Sequence, residues 1–129
     1  MISLICKQYG ITNYTINSDG SIDVNGYVNL SYRHLTELPL MFNRVTGLFN
    51  CSYNQLTSLE FSPDYVGGDF DCEYNNLTNN YCDTEILGDF YTTLVQDGLI
   101  INEFNITTNY NEWRKLYKRK MILDDIFNM

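Results

Sequence analysis

The segment CSYNQLTSLE, Cys51 to Glu60, returns 21 residues later as CEYNNLTNNY, Cys72 to Tyr81. Set on that period, much of the chain falls into columns. Val24, Val45, Val66 and Leu87 align, as do Gly26, Gly47 and Gly68. Val28, Phe49 and Phe70 form a third column, and Leu30, Cys51 and Cys72 a fourth. Tyr32, Tyr53 and Tyr74 follow. Leu35, Leu56 and Leu77 come next, each trailed by a threonine (Thr36, Thr57, Thr78). Asn54 and Asn75 share a column with Arg33. Leu38 and Leu59 share one that Asn80 breaks. A fixed period of this length marks a stacked repeat, in which each unit buries its apolar face only against the next.

The columns also say how one unit is built. Val28 and Leu30, like Phe49 and Cys51, are two residues apart and so share one face of an extended strand. Parallel strands are therefore expected near 28–31, 49–52 and 70–73, one rung per turn of a coil. An inward Asn at the strand end can bond backbone groups that the turn leaves unpaired. The Gly67-Gly68 pair suits a tight bend before the strand.

The motif apolar-x-apolar-x-x-Asn-x-Leu, as in FNCSYNQL, FDCEYNNL and the weaker VNLSYRHL, resembles the leucine-rich repeat. The segment LTELP at 35–39 looks like the short bacterial variety, and Val-Gly-Gly-x-Phe-x-Cys-x-x-Asn-x-Leu-Thr is similar to Asn-rich repeats of bacteriophage proteins. The resemblance covers roughly residues 22–88 and departs at Arg33, which replaces the first Asn. It implies a mainly β fold: a short leucine-rich-repeat-like solenoid with parallel strands.

Such a coil needs its ends covered. Residues 1–24 are read as an N-terminal cap, with a hairpin over 14–24 around Ser18-Asp19-Gly20. Residues 25–88 hold three 21-residue repeats. Residues 89–109 carry two degenerate rungs, near 89–93 and 103–107, since Gly88-Asp89-Phe90-Tyr91 echoes Gly68-Asp69-Phe70-Asp71. A helix over 84–95 competes, because Ile86, Leu87, Phe90, Tyr91, Leu94 and Val95 have helical spacing. In 110–129, Asn109 precedes Trp113, Leu116, Tyr117, Lys120, Leu123 and Phe127, which predicts a C-terminal capping α-helix. All of it reads as one domain, 1–129.

Charge narrows the partners. The chain has 16 acids and 8 bases, a net of −8. Five bases (Arg114, Lys115, Lys118, Arg119, Lys120) crowd the C-terminal segment, so residues 1–111 hold 13 acids against three bases. That surface argues against nucleic acid and against anionic membrane as partners. No apolar run approaches the roughly 20 residues of a membrane span. The start, MISLICKQYG, lacks the pattern of a signal peptide, so a cytoplasmic location is expected. Alanine is absent while Asn (16), Tyr (11) and Phe (7) abound. Those usages suit an A/T-rich genome such as a bacteriophage's.

Chemistry is sparse. His34 occupies a polar turn position. Cys51 and Cys72 sit in an inward apolar column, and Cys6 and Cys82 have no CxxC partner, so four reduced thiols and no zinc site or other cofactor are expected. Asp69, Asp71 and Glu73 alternate along one strand, where they could hold a hard cation or serve acid–base chemistry. The tyrosine column offers rigid contact area with polar tips, or simply stacks on itself. The resulting expectation is a non-enzymatic protein–protein interaction module. Its partner-binding face would comprise Tyr32, Asn50, Ser52, Tyr53, Asp69, Asp71, Glu73 and Tyr74. The phage resemblance implies a host protein as partner, bound to inhibit or redirect it, such as a defence component. Two alternatives stand beside it: an acidic mimic of nucleic acid, and an enzyme or cation site on Asp69, Asp71 and Glu73. Self-association into a homo-oligomer is compatible with all of these.

Overall fold

The computed structural model describes residues 1–78, 82–96 and 99–106, with side chains through Thr93. The helix expected over 110–127 lies outside the described residues. The rest is a mainly β coil of roughly three turns. A helix α1 (Ile2–Gln8) and a hairpin, β1 (Tyr14–Ile16) and β2 (Ile22–Val24), open the chain. Eight strands follow: β3 (Val28–Asn29), β4 (Phe42–Val45), β5 (Phe49–Asn50), β6 (Tyr65–Val66), β7 (Phe70–Cys72), β8 (Glu85–Ile86), β9 (Phe90–Gln96) and β10 (Leu99–Ile106).

Each turn carries two strands, not the single rung expected. They form two five-stranded sheets, ordered β1-β2-β4-β6-β8 and β10-β9-β7-β5-β3. The valine column forms the first sheet, with Val24, Val45, Val66 and Ile86 in register. The Val28, Phe49, Phe70 and Phe90 column forms the second. Both columns point inward, so the core is a pair of walls closed by Leu56 and Leu77. Phe49, Phe70 and Phe90 pack edge to face at 5.2 and 5.4 Å between ring centres. Leu30, Cys51, Cys72 and Thr92 continue the second wall inward, all buried.

The glycine column sits at the corner between the sheets, and its reason is proximity. Gly47 donates its N–H to the Gly26 carbonyl at 2.8 Å, Gly68 to Gly47 at 3.0 Å, and Gly88 to Gly68 at 3.1 Å. A Cβ on Gly47 would stand 2.8 Å from the Gly26 carbonyl carbon and oxygen. Successive turns touch here backbone to backbone, which only glycine permits.

Three expectations change. The step from Val66 to the next strand is one residue short, so Ile86 rather than Leu87 pairs with Val66; Ile86 is 3% exposed and Leu87 55%. A one-residue slip swaps which neighbour faces inward. The helix considered over 84–95 is instead β8 and β9, and the rung near 89–93 is present as β9, parallel to β7. The rung near 103–107 is not a further parallel rung: β10 pairs antiparallel with β9, Ile106 opposite Phe90. Only two residues separate Gln96 from Leu99. A parallel crossover needs a dozen or more residues, whereas a two-residue link suits a hairpin.

Helix α1 stands outside the 21-residue pattern, although Ile2, Ile5, Cys6 and Tyr9 have helical spacing. Cys6 is buried and the other three pack against the core at the coil's first end. The hairpin over 14–24 is present, pairing Tyr14 with Val24 and Ile16 with Ile22. Its turn is held by Asp19, whose carboxylate accepts from the Ser21 N–H at 2.9 Å and hydroxyl at 2.6 Å. Gly20 takes a positive φ of 86° there.

Candidate functional site

The second sheet ends each turn the same way. The strand stops and a tyrosine follows in the left-handed region; after Tyr53 and Tyr74 a buried asparagine turns the chain inward, whereas after Tyr32 the exposed Arg33 holds that place. Tyr32, Tyr53 and Tyr74 have φ of 58°, 55° and 57°. Left-handed backbone is uncommon for a bulky residue. Two devices hold it. On one side, Asn54 is buried with its amide spread over two turns. Its Nδ2 donates to the carbonyls of Leu30, Cys51 and Ser52 at 2.8, 3.0 and 3.2 Å. Its Oδ1 accepts from the backbone N–H of Arg33 and Leu35, both at 3.0 Å. Asn75 repeats this, donating to Cys51 and Cys72 and accepting from Leu56. On the other side, the side-chain oxygen three residues before each tyrosine accepts the N–H two residues on. Asn29 holds Ser31 at 3.1 Å, Asn50 holds Ser52 at 2.9 Å, and Asp71 holds Glu73 at 3.0 Å.

With the backbone fixed, the rings align. Tyr32 and Tyr53 stack at 4.4 Å between centres and 11° between planes; Tyr53 and Tyr74 at 4.6 Å and 19°. The ladder is both of the things the sequence allowed, self-stacked and open to solvent, at 67%, 44% and 37% exposure along the column. Removal from water, and then its neighbour Tyr32, hold the Tyr53 hydroxyl above the usual phenol range.

Of the other face residues, Asp69 is exposed and accepts the Asp89 N–H at 2.8 Å. Asp71 is half-buried, and its burial, then the charge on Asp69, push its carboxyl above the usual range. Glu73 is half-buried, with its backbone carbonyl accepting from the Tyr53 N–H at 2.9 Å. Asn50 is half-buried. Ser52 is different: it is 4% exposed, and its hydroxyl donates to Asn50 Oδ1 at 2.6 Å. Strand alternation would have turned it outward, but β5 ends at Asn50 and the turn folds Ser52 in.

The face also includes residues that the sequence list lacked. Tyr91 lies opposite Asp71 across β7 and β9, and its hydroxyl donates to Asp89 at 3.0 Å. The Gly88-Asp89-Phe90-Tyr91 echo was the available signal. Asp69, Asp71 and Glu73 do not converge on a point. Among the described residues, no group of three His, Cys, Asp or Glu side chains is placed to hold a metal ion. Cys6, Cys51, Cys72 and Cys82 are free and buried, and burial raises the Cys51 and Cys72 thiols well above their usual range.

The first sheet's outer face carries a different column. Asp23, Arg44, Tyr65 and Glu85 form its column, with the Arg44 guanidinium 3.8 Å over the Tyr65 ring. Among the described residues no helix is long and apolar enough to cross a membrane. Comparison with protein-family models, with curated proteins and with solved structures finds no match to this chain.

Proposed function

We propose that the chain is a non-enzymatic interaction module and that the tyrosine ladder is its recognition surface for another protein. The exposed stack of Tyr32, Tyr53 and Tyr74 carries this reading. Aromatic side chains held rigid before binding lose little entropy on contact, and Tyr is enriched at binding hot spots. Nothing in folding alone requires three adjacent left-handed tyrosines, because the left-handed region favours Gly or Asn. The A/T-rich composition and the phage-like repeat make a protein of the host cell the natural partner.

The test is affinity capture with the full chain as bait and identification by mass, followed by titration of the captured partner. Tyr53→Asn and Tyr74→Asn remove the rings while suiting a positive φ. Each should cost more than about 1 kcal/mol of binding if the ladder is the hot spot. Unchanged affinity in both would reject the ladder. Binding that collapses steeply with salt yet ignores the tyrosines would favour the acidic mimic of nucleic acid instead.

A further inference from the structure

The column Asn29, Asn50, Asp71 holds a mismatch between structural need and chemistry. All three accept the same N–H two residues on, at 3.1, 2.9 and 3.0 Å. In two turns a neutral amide oxygen suffices. The third carries a carboxylate, although an amide oxygen serves the same turn at Asn29 and Asn50. The charge is costly where it stands, since Asp71 is half-buried and Asp69 lies close. The two arginines among the described residues are engaged elsewhere: Arg33 lies 5.6 Å over Tyr9 and Arg44 3.8 Å over Tyr65. The second contact also shows what a tyrosine of this chain accepts on its ring. Tyr32 has one stacked neighbour, Tyr53, and remains two-thirds exposed.

Building on the ladder as recognition surface, we propose that its occupant is a cationic, arginine-bearing polypeptide segment. Asp71 pairs with one incoming cationic side chain, and Tyr32, at the open end of the stack, offers the ring on which a guanidinium lies. Charge complementarity supports this occupant over face-to-face pairing with a second copy of the chain. Residues 1–111 hold 13 acids against three bases, so two copies of this face would meet with like charge. A guanidinium also suits both groups, because it pairs with carboxylate and stacks on aromatic rings.

The full chain is titrated against fluorescent peptides of alternating arginine and glycine, lysine and glycine, or glutamate and glycine, at about 150 mM salt to screen exposed charge. The arginine peptide should bind, the lysine peptide more weakly, and the glutamate peptide not at all. Asp71→Asn and Tyr32→Asn should each weaken the arginine peptide by about tenfold. Glu60→Gln removes an exposed acid outside this face and should change nothing. Asn already serves the Asp71 column and tolerates the Tyr32 backbone, so both variants should keep a single cooperative melting transition. Failure of the arginine peptide to bind overturns the proposal. So do equal losses in Asp71→Asn and Glu60→Gln, which would mean net charge alone. A dimer in sedimentation that Tyr32→Asn dissolves assigns the face to a second copy instead. If Tyr53→Asn abolishes capture of a partner that Asp71→Asn leaves untouched, the ladder stands and the cationic assignment falls.

Discussion

The side-chain oxygen of Asn54 lies 3.0 Å from the backbone nitrogen of Leu35, one full turn earlier in the coil. The same amide donates to Leu30 in that earlier turn and to Cys51 in its own. One buried side chain thus closes two turns at once. Replacing it by Leu would strand several backbone groups in a buried site. An unsatisfied buried group costs about 1–3 kcal/mol, so Asn54→Leu should lose at least about 3 kcal/mol in urea unfolding. Gln55→Ala, at the exposed neighbouring position, should stay within about 0.5 kcal/mol.

Gly47→Ala should destabilise although φ there is not positive. The added Cβ would press on the Gly26 carbonyl at 2.8 Å, where no flexible side chain can yield. A cost of about 1–3 kcal/mol is expected, as for overpacking elsewhere. Thermal melts of Gly47→Ala and of Gly10→Ala would separate the two kinds of glycine. A Cβ on Gly10 meets no atom, and its cost would come only from its φ of 67°.

Asp71 predicts a pH dependence with a definite sign. Its carboxyl is raised in the fold, so the folded chain holds that proton more tightly than the unfolded one. Stability from this group is therefore greatest when it is protonated and falls as pH rises through its raised folded value. Asp71→Asn removes that slope. The variant's unfolding midpoint relative to wild type should rise between acid and neutral pH, and at pH near 7 it should equal or exceed wild type.

The thiols should be silent until the coil opens. Cys51 and Cys72 are fully enclosed, and burial keeps them protonated. Titration with a thiol reagent should find four groups in denaturant and label the native protein only at the rate of unfolding. Fast native labelling of Cys51 or Cys72 would contradict their place in the core.

What could be read in advance followed from periodicity. The Val28, Phe49, Phe70 column, the inward Asn54 and Asn75, and the tyrosine column all stand where a 21-residue period put them. Errors arose where a local rule broke that period. The Ile86 for Leu87 exchange came from one missing residue, which no column shows until the strands are paired. Ser52 turned inward because a two-residue strand is too short for alternation to persist. The valine column reads as apolar but not as a second sheet, because β2 is already claimed by the N-terminal hairpin and β6 and β8 have only two residues each. Helix α1 is legible in the spacing of Ile2, Ile5, Cys6 and Tyr9 but precedes the repeat, whose period says nothing about it.

The stacked tyrosines also make the coil a measure of length. Tyr32, Tyr53 and Tyr74 each stand 4.4 to 4.6 Å from the next, at positions set by side-chain and backbone contacts with the neighbouring turns. Lengthening the gene by one in-frame copy of residues 50–70 would therefore add one ring without disturbing the others. Reach across a partner would then grow in fixed steps, and the number of turns becomes a variable that mutation can change in whole units, independently of what any single ring contacts.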